Sequence, residues 1–173
     1  MLLKRPKSAR RRAFIIFLEV LLFAALYFGL RAWMQREMVS GDPPPLVYED
    51  IQGQRVNLAD YRGKPLLLYF WATWCKVCEM ERGAITKVAR DWPVLTVAMQ
   101  SGGAATLREY QQDQDIDWRT ISDEFGVISK DFGVPAVPAF FVLDGDGKIR
   151  FSEMGFTPSG TLRLRLWLVQ LLS

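Results

Sequence analysis

The longest unbroken apolar run lies near the start of the chain, where Ala13 to Leu30 reads AFIIFLEVLLFAALYFGL with Glu19 as its only charge. In helical form it rises about 27 Å, close to the roughly 30 Å hydrocarbon core of a bilayer. Trp33 and Met34 extend the run into an interface. A membrane-spanning helix is therefore expected over 13–34, behind a short tail over 1–12. The next stretch, QREMVSGDPPP over 35–45, has no hydrophobic period and ends in three prolines. That composition suits a short, semi-rigid spacer, and a single folded domain is expected over 46–173.

Within that domain Val47–Glu49 and Arg55–Asn57 flank the turn-rich DIQGQ and read as a small hairpin. PLLLYFW over 65–71 is a continuous apolar run, the pattern of a strand buried on both faces. From Lys76 to Asp91 the residues Val77, Met80, Ala84, Ile85 and Val88 recur at helical spacing. Val94–Met99 reads as a second buried strand and Ala104–Gln112 as a helix with Leu107 and Tyr110 on one side. Trp118–Ile121 is a short segment, and Phe125–Phe132 suits one or two helical turns. Ala139–Leu143 is a third core strand, Asp144-Gly145-Asp146-Gly147 a hairpin turn, and Lys148–Ser152 the returning strand. Thr157 suits an N-cap and Pro158 a first helical residue, which opens a helix over 159–171, although the alternation LRLRLWL also fits a strand. The order β-α-β-α followed by β-β-α predicts an α/β layered domain with a mixed sheet.

Charge gives the first helix a direction. Lys4, Arg5, Lys7, Arg10, Arg11 and Arg12 precede it, whereas Arg31 and Arg36 alone follow closely. This bias keeps the N-terminus in the cytoplasm and exports the domain. A cleaved signal peptide shares the basic start and apolar middle, but the run is long for one and no convincing A-x-A site precedes Gln35. Outside the tail, 16 of the 22 basic residues face 19 acidic ones, so the net charge of +3 belongs to the tail and nucleic acid is not an expected partner. Composition excludes more. There are 2 cysteines and no histidine, which rules out a disulfide-stapled scaffold, a Cys₄ metal or iron–sulfur site, a serine–histidine triad and a histidine-based zinc or haem centre. Asp144-Gly145-Asp146 opens like a calcium loop, but its twelfth position is Gly155 rather than glutamate, so a turn is expected.

The remaining chemistry lies in Trp74-Cys75-Lys76-Val77-Cys78, between the buried strand and the helix behind it. At a helix N-terminus, unpaired N–H groups and the macrodipole stabilise a thiolate on Cys75, and Lys76 adds a positive charge nearby. Cys75 is then the attacking sulfur and Cys78, one turn further in, resolves the mixed disulfide. A passive disulfide closing so short a loop would contribute little chain entropy. A Cu(I) site from the same two thiolates is chemically allowed and would need further ligands.

FWATWCKVC resembles the active-site segment of the thioredoxin fold, and NLADYRGKPLLLYFWATWC resembles the membrane-anchored, exported branch with the TlpA- and cytochrome-c-maturation-type proteins. Within that branch CKVCEMERGAI, LTVAMQSGG and VPAFFVLDGDGKIRF look most like the suppressor-of-copper-sensitivity D type. The resemblance implies a thioredoxin-like α/β domain, a mixed central sheet flanked by helices, behind one transmembrane helix. It also implies a cis-proline at Pro138 that faces the cysteines and leaves the Val137 backbone open to substrate. Glu81 matches a glutamate that shares the helix face of Cys78 and takes its proton, the alternative being a solvated carboxylate. Trp74 matches a tryptophan that shapes the docking surface, where packing alone is the alternative. Two departures stand out: Tyr69 occupies the position of thioredoxin's buried aspartate, and Gly83 stands where many relatives have proline.

The resulting expectation is a single-pass protein of the inner membrane with a periplasmic thiol–disulfide oxidoreductase domain. It would act as a reductant of protein disulfides, in copper tolerance or cytochrome c maturation, recharged by a membrane electron-transfer partner. No cofactor or metal is assigned. The alternatives are an oxidase that donates its disulfide and a Cu(I)-binding module that uses the same cysteines.

Overall fold

A computed structural model describes residues 7–172. Lys4 and Arg5 of the basic tail, and the terminal Ser173, lie outside them. The chain divides into two compact units, Met1–Arg36 and Glu37–Ser173. The first is a helix, α1 (Lys7–Gln35), in which Arg11–Leu30 is long and apolar enough to cross a membrane.

The second unit opens with a hairpin of β1 (Val47–Glu49) and β2 (Arg55–Asn57), then a 3-10 turn over Leu58–Tyr61. Its main sheet has five strands: β3 (Leu66–Trp71), β4 (Val94–Met99), β5 (Arg119–Asp123), β6 (Ala139–Leu143) and β7 (Ile149–Met154). Their spatial order is β5-β4-β3-β6-β7, with β3, β4 and β5 mutually parallel, β6 antiparallel to β3 and β7 antiparallel to β6. The helices are α2 (Lys76–Ala89), α3 (Ala104–Asp113), α4 (Val127–Asp131) and α5 (Ser159–Leu171). This is a thioredoxin-like α/β fold with a mixed central sheet.

β3 lies at the centre of the sheet, and every one of its six residues is buried. Side chains alternate across a strand, so Leu67, Tyr69 and Trp71 join Ile85 and Val88 of α2, Leu107 of α3 and Leu162 and Leu166 of α5 on one face. Leu66, Leu68 and Phe70 join Ile128 of α4 and Phe132 at its C-cap on the other. The apolar run of the sequence thus feeds two cores at once.

Three features differ from the sequence expectations. The residues expected as a spacer pack onto the second unit: Met38 is buried, the Val39 N–H donates to the Phe132 carbonyl and Gly41 bridges Ile149. The short Trp118–Ile121 segment becomes β5, a full member of the sheet. Thr157 does not cap α5: Pro158 takes the cap position, and the Thr157 hydroxyl turns back to donate to the Gly155 carbonyl.

Gly133 makes the Met38 packing possible. Its φ is +65°, and a Cβ there would strike the Glu37 carbonyl. Gly133→Ala is therefore expected to cost about 2 kcal/mol and lower the Tm. Gly160→Ala, in open space on α5, should be neutral or stabilising by up to about 1 kcal/mol. Thermal unfolding of the two variants side by side checks this.

Candidate active site

β3 ends at Trp71, and the chain crosses Ala72-Thr73-Trp74 before α2 begins. Cys75 is the N-cap of α2, with extended backbone angles of φ −88° and ψ 106°. Its sulfur accepts a hydrogen bond from the Cys78 N–H at 3.1 Å, so one of the helix's unpaired donors points at the sulfur. Cys75 and Cys78 are joined by a disulfide with a Cα–Cα distance of 5.3 Å. Lys76, read as a charge favouring the Cys75 thiolate, holds its ammonium 3.0 Å from Glu79. That hydrogen bond keeps the Glu79 carboxyl below its ordinary value, and the positive charge is shared rather than free for the sulfur.

The turn after β4 braces the cysteine loop. The Thr73 N–H donates to Ser101 Oγ at 3.0 Å, and that hydroxyl donates to the Met99 carbonyl at 2.9 Å. Gln100 is held at φ +46°, a left-handed conformation costly for a residue with a side chain. Its carbonyl accepts the Trp74 indole N–H at 3.0 Å. Trp74 is 58% exposed, with its polar edge tied down and its ring left in solvent beside Cys75. Sequence reasoning gave Ser101 and Gln100 no role beyond their place in LTVAMQSGG.

Across from the cysteines the Val137–Pro138 peptide is cis. The Val137 carbonyl oxygen lies 3.6 Å from the Cys75 sulfur, close enough to receive the proton of a reduced thiol. The Pro138 carbonyl accepts from the Gly155 N–H at 2.8 Å, which ties this loop to the segment after β7. Cys75, Trp74, Val137 and Pro138 are therefore gathered at the C-terminal end of β3.

Glu81 lies one turn beyond Cys78 and is 0% exposed, so it is no solvated carboxylate. Its Oε2 accepts from the Tyr69 hydroxyl at 3.1 Å and its Oε1 from the Thr157 N–H at 2.5 Å. Burial raises its carboxyl above the ordinary value, outweighing the lowering effects of the Thr157 and Tyr69 bonds. Sequence reasoning found Glu81 but neither partner. Tyr69 stood out only as a departure, and Thr157 looked like a helix cap.

A Cys-x-x-Cys pair at the N-terminus of the helix after the central strand of this sheet defines a thioredoxin-like thiol–disulfide oxidoreductase. The chain belongs to the AhpC/TSA family, which it matches over residues 41–152. It is 29% identical over 140 residues to a thioredoxin-like protein of Haemophilus influenzae, covering 80% of this chain and 83% of that one. It is 26% identical over 151 residues to the thiol-disulfide oxidoreductase ResA of Bacillus cereus, covering 85% and 87%. A secreted thiol-disulfide isomerase of Corynebacterium glutamicum superimposes with a TM-score of 0.66 at 21% identity, covering 73% of this chain and 84% of that one, and shares the fold.

The raised Glu81 carboxyl has a consequence for stability. Native Glu81 keeps its proton to higher pH than the unfolded chain does. Above the ordinary glutamate value of about 4.3, the native state therefore binds more protons, and stability falls as pH rises through the native value. Urea unfolding of the oxidised protein across this range should show a decline that Glu81→Gln lacks. Parallel curves for the two proteins would contradict the assignment.

Proposed function

We propose that the protein is a membrane-anchored reductant of disulfides in exported proteins, with Cys75 attacking and Cys78 resolving. The observation that carries this reading is the Cys75 sulfur at the cap of α2, 3.1 Å from the Cys78 N–H, beside exposed Trp74 and the Val137–Pro138 backbone. The Cys75 thiolate attacks one sulfur of a substrate disulfide, forming a mixed disulfide and releasing the other sulfur as a thiolate that takes up a proton. Glu81 accepts the proton of the Cys78 thiol, and the Cys78 thiolate attacks the Cys75 sulfur. The second substrate thiolate leaves and is protonated in turn. Two electrons have then passed to the substrate, whose two thiols take one proton from Cys78 by way of Glu81 and one from solvent, which had received the Cys75 proton, and Cys75–Cys78 is the disulfide. A membrane dithiol reductase returns it to the dithiol. Trp74 supplies an apolar contact for the substrate, and the Val137 backbone pairs with an extended segment of it.

The basic tail, the apolar α1 and the export bias support an inner-membrane anchor with a cytoplasmic N-terminus and a periplasmic domain. Likeness to the suppressor-of-copper-sensitivity and cytochrome-c-maturation branch suggests substrates in copper tolerance or apocytochrome c.

Cys78→Ser in cells should accumulate mixed disulfides through Cys75, released by dithiothreitol, and Cys75→Ser should form none. Direction is read from the potential of the full chain in detergent, equilibrated with redox buffers. A value near thioredoxin's, roughly −270 mV, fits a reductant, and one near roughly −120 mV makes the protein an oxidant. Absence of exchange, with one Cu(I) retained per chain and lost in Cys75→Ser, would replace both with the copper-binding reading.

A further inference from the structure

We propose that Tyr69 is a positioning residue for the exchange reaction, its hydroxyl holding the Glu81 carboxyl on the Cys78 side of α2 as a partner for both of its protonation states. The proposal rests on the exchange reading above, with Glu81 as proton acceptor for Cys78.

The geometry is that of a clamp. Tyr69 reaches Glu81 Oε2 from β3, and the Thr157 N–H reaches Oε1 from the connection between β7 and α5. Both side chains are fully buried, so water does not make up for a lost partner. The two clamps differ in kind. A backbone N–H can only donate, which suits the carboxylate. A phenol can donate to the carboxylate and accept from the carboxylic acid. Tyr69 therefore stays paired as the proton arrives and leaves, where a donor-only partner would be left facing an O–H.

The Tyr69 ring cannot swing away. Its strand is paired on both sides, to Thr96 of β4 and Phe140 of β6. Trp118 packs edge-on against the ring at 6.1 Å between centroids. Burial, together with the charge of Glu81, pushes the phenol far above its ordinary value. It keeps its proton at every pH at which exchange takes place, so it acts through Glu81 rather than as an acid itself.

Among the described residues few other ionisable groups bear on this pair. On α2 Cys78 lies one turn before Glu81, and from α3 Tyr110 bears on Tyr69. From α5, Arg165 lies over the ring of Phe140 and is paired with Glu153 of β7. The shift of Glu81 is traced to burial, Thr157 and Tyr69. The strand position that holds an aspartate in thioredoxin here holds the partner of a carboxyl supplied by the helix.

The test is the pH dependence of the Cys75–Cys78 potential, measured on the full chain in detergent. The wild-type curve is expected to change slope where Glu81 titrates, and Glu81→Gln should lack that break. In Tyr69→Phe the carboxylate loses a donor, so the break should move to higher pH by about one unit or more. Fluorinated tyrosine at position 69, nearly isosteric and a stronger donor, should move it to lower pH, which covers the case in which Tyr69→Phe fails to fold. A break unmoved in either variant overturns the role of Tyr69. A break retained in Glu81→Gln overturns the role of Glu81, and absence of exchange in the wild type overturns the function itself.

Discussion

The Cys75 sulfur accepts a hydrogen bond from the Cys78 N–H because a strand buried on both faces ends four residues before it and a helix begins one residue after it. That placement constrains much of the molecule. β3 must be buried at every position to sit between two cores, with the one hydroxyl it carries, that of Tyr69, paired to Glu81, and its neighbours β4 and β6 must cover it on both sides. α2 must lie on the sheet with Ile85 and Val88 inward so that its first turn points out of the end of the layer. The crossing loop then needs its own support, which Ser101 and Gln100 supply from the adjacent turn. The left-handed Gln100 is strain stored beside a reactive group, offset by the hydrogen bond of its carbonyl to Trp74.

A second constraint lies beneath the sulfurs. A carboxyl with no solvent exposure is costly to ionise, and the fold keeps one, Glu81, a helical turn beyond Cys78. Burial favours its protonated form, while the Tyr69 hydroxyl and Thr157 N–H favour the carboxylate. Burial is the larger influence, so the carboxyl lies above its ordinary value. The same residues link three parts of the site. Glu81 ties α2 to Thr157, and Gly155, two residues earlier, ties the Pro138 carbonyl, next along the chain from the Val137 carbonyl that faces Cys75.

What the sequence revealed and what it hid follow from the range of the interactions involved. PLLLYFW, the Cys-x-x-Cys spacing, the Asp-Gly-Asp-Gly turn and the periodicity behind Cys75 are local, and each led to the right element. α5 came out at the right residues despite its alternating pattern. β5 did not, because RTISD looks like surface. It is buried through contacts with distant segments: Thr120 Oγ1 lies 2.7 Å from that of Thr96, and the Thr120 carbonyl accepts from the Ile51 N–H at 2.8 Å. Met38 and Thr157 were misread for the same reason, since their partners Gly133 and Glu81 are remote in sequence. In the site itself both cysteines and the proline were plain, whereas the partners of Glu81 could be found only in three dimensions.

The most direct test of the central claim is the pH profile of alkylation of the reduced full chain in detergent, with each cysteine followed by mass spectrometry. If the N-terminus of α2 creates the nucleophile, Cys75 reacts with a midpoint well below the ordinary thiol value of about 8.5, and Cys78 stays protected. Equal reactivity of both sulfurs near that value, or a faster Cys78, would contradict the account.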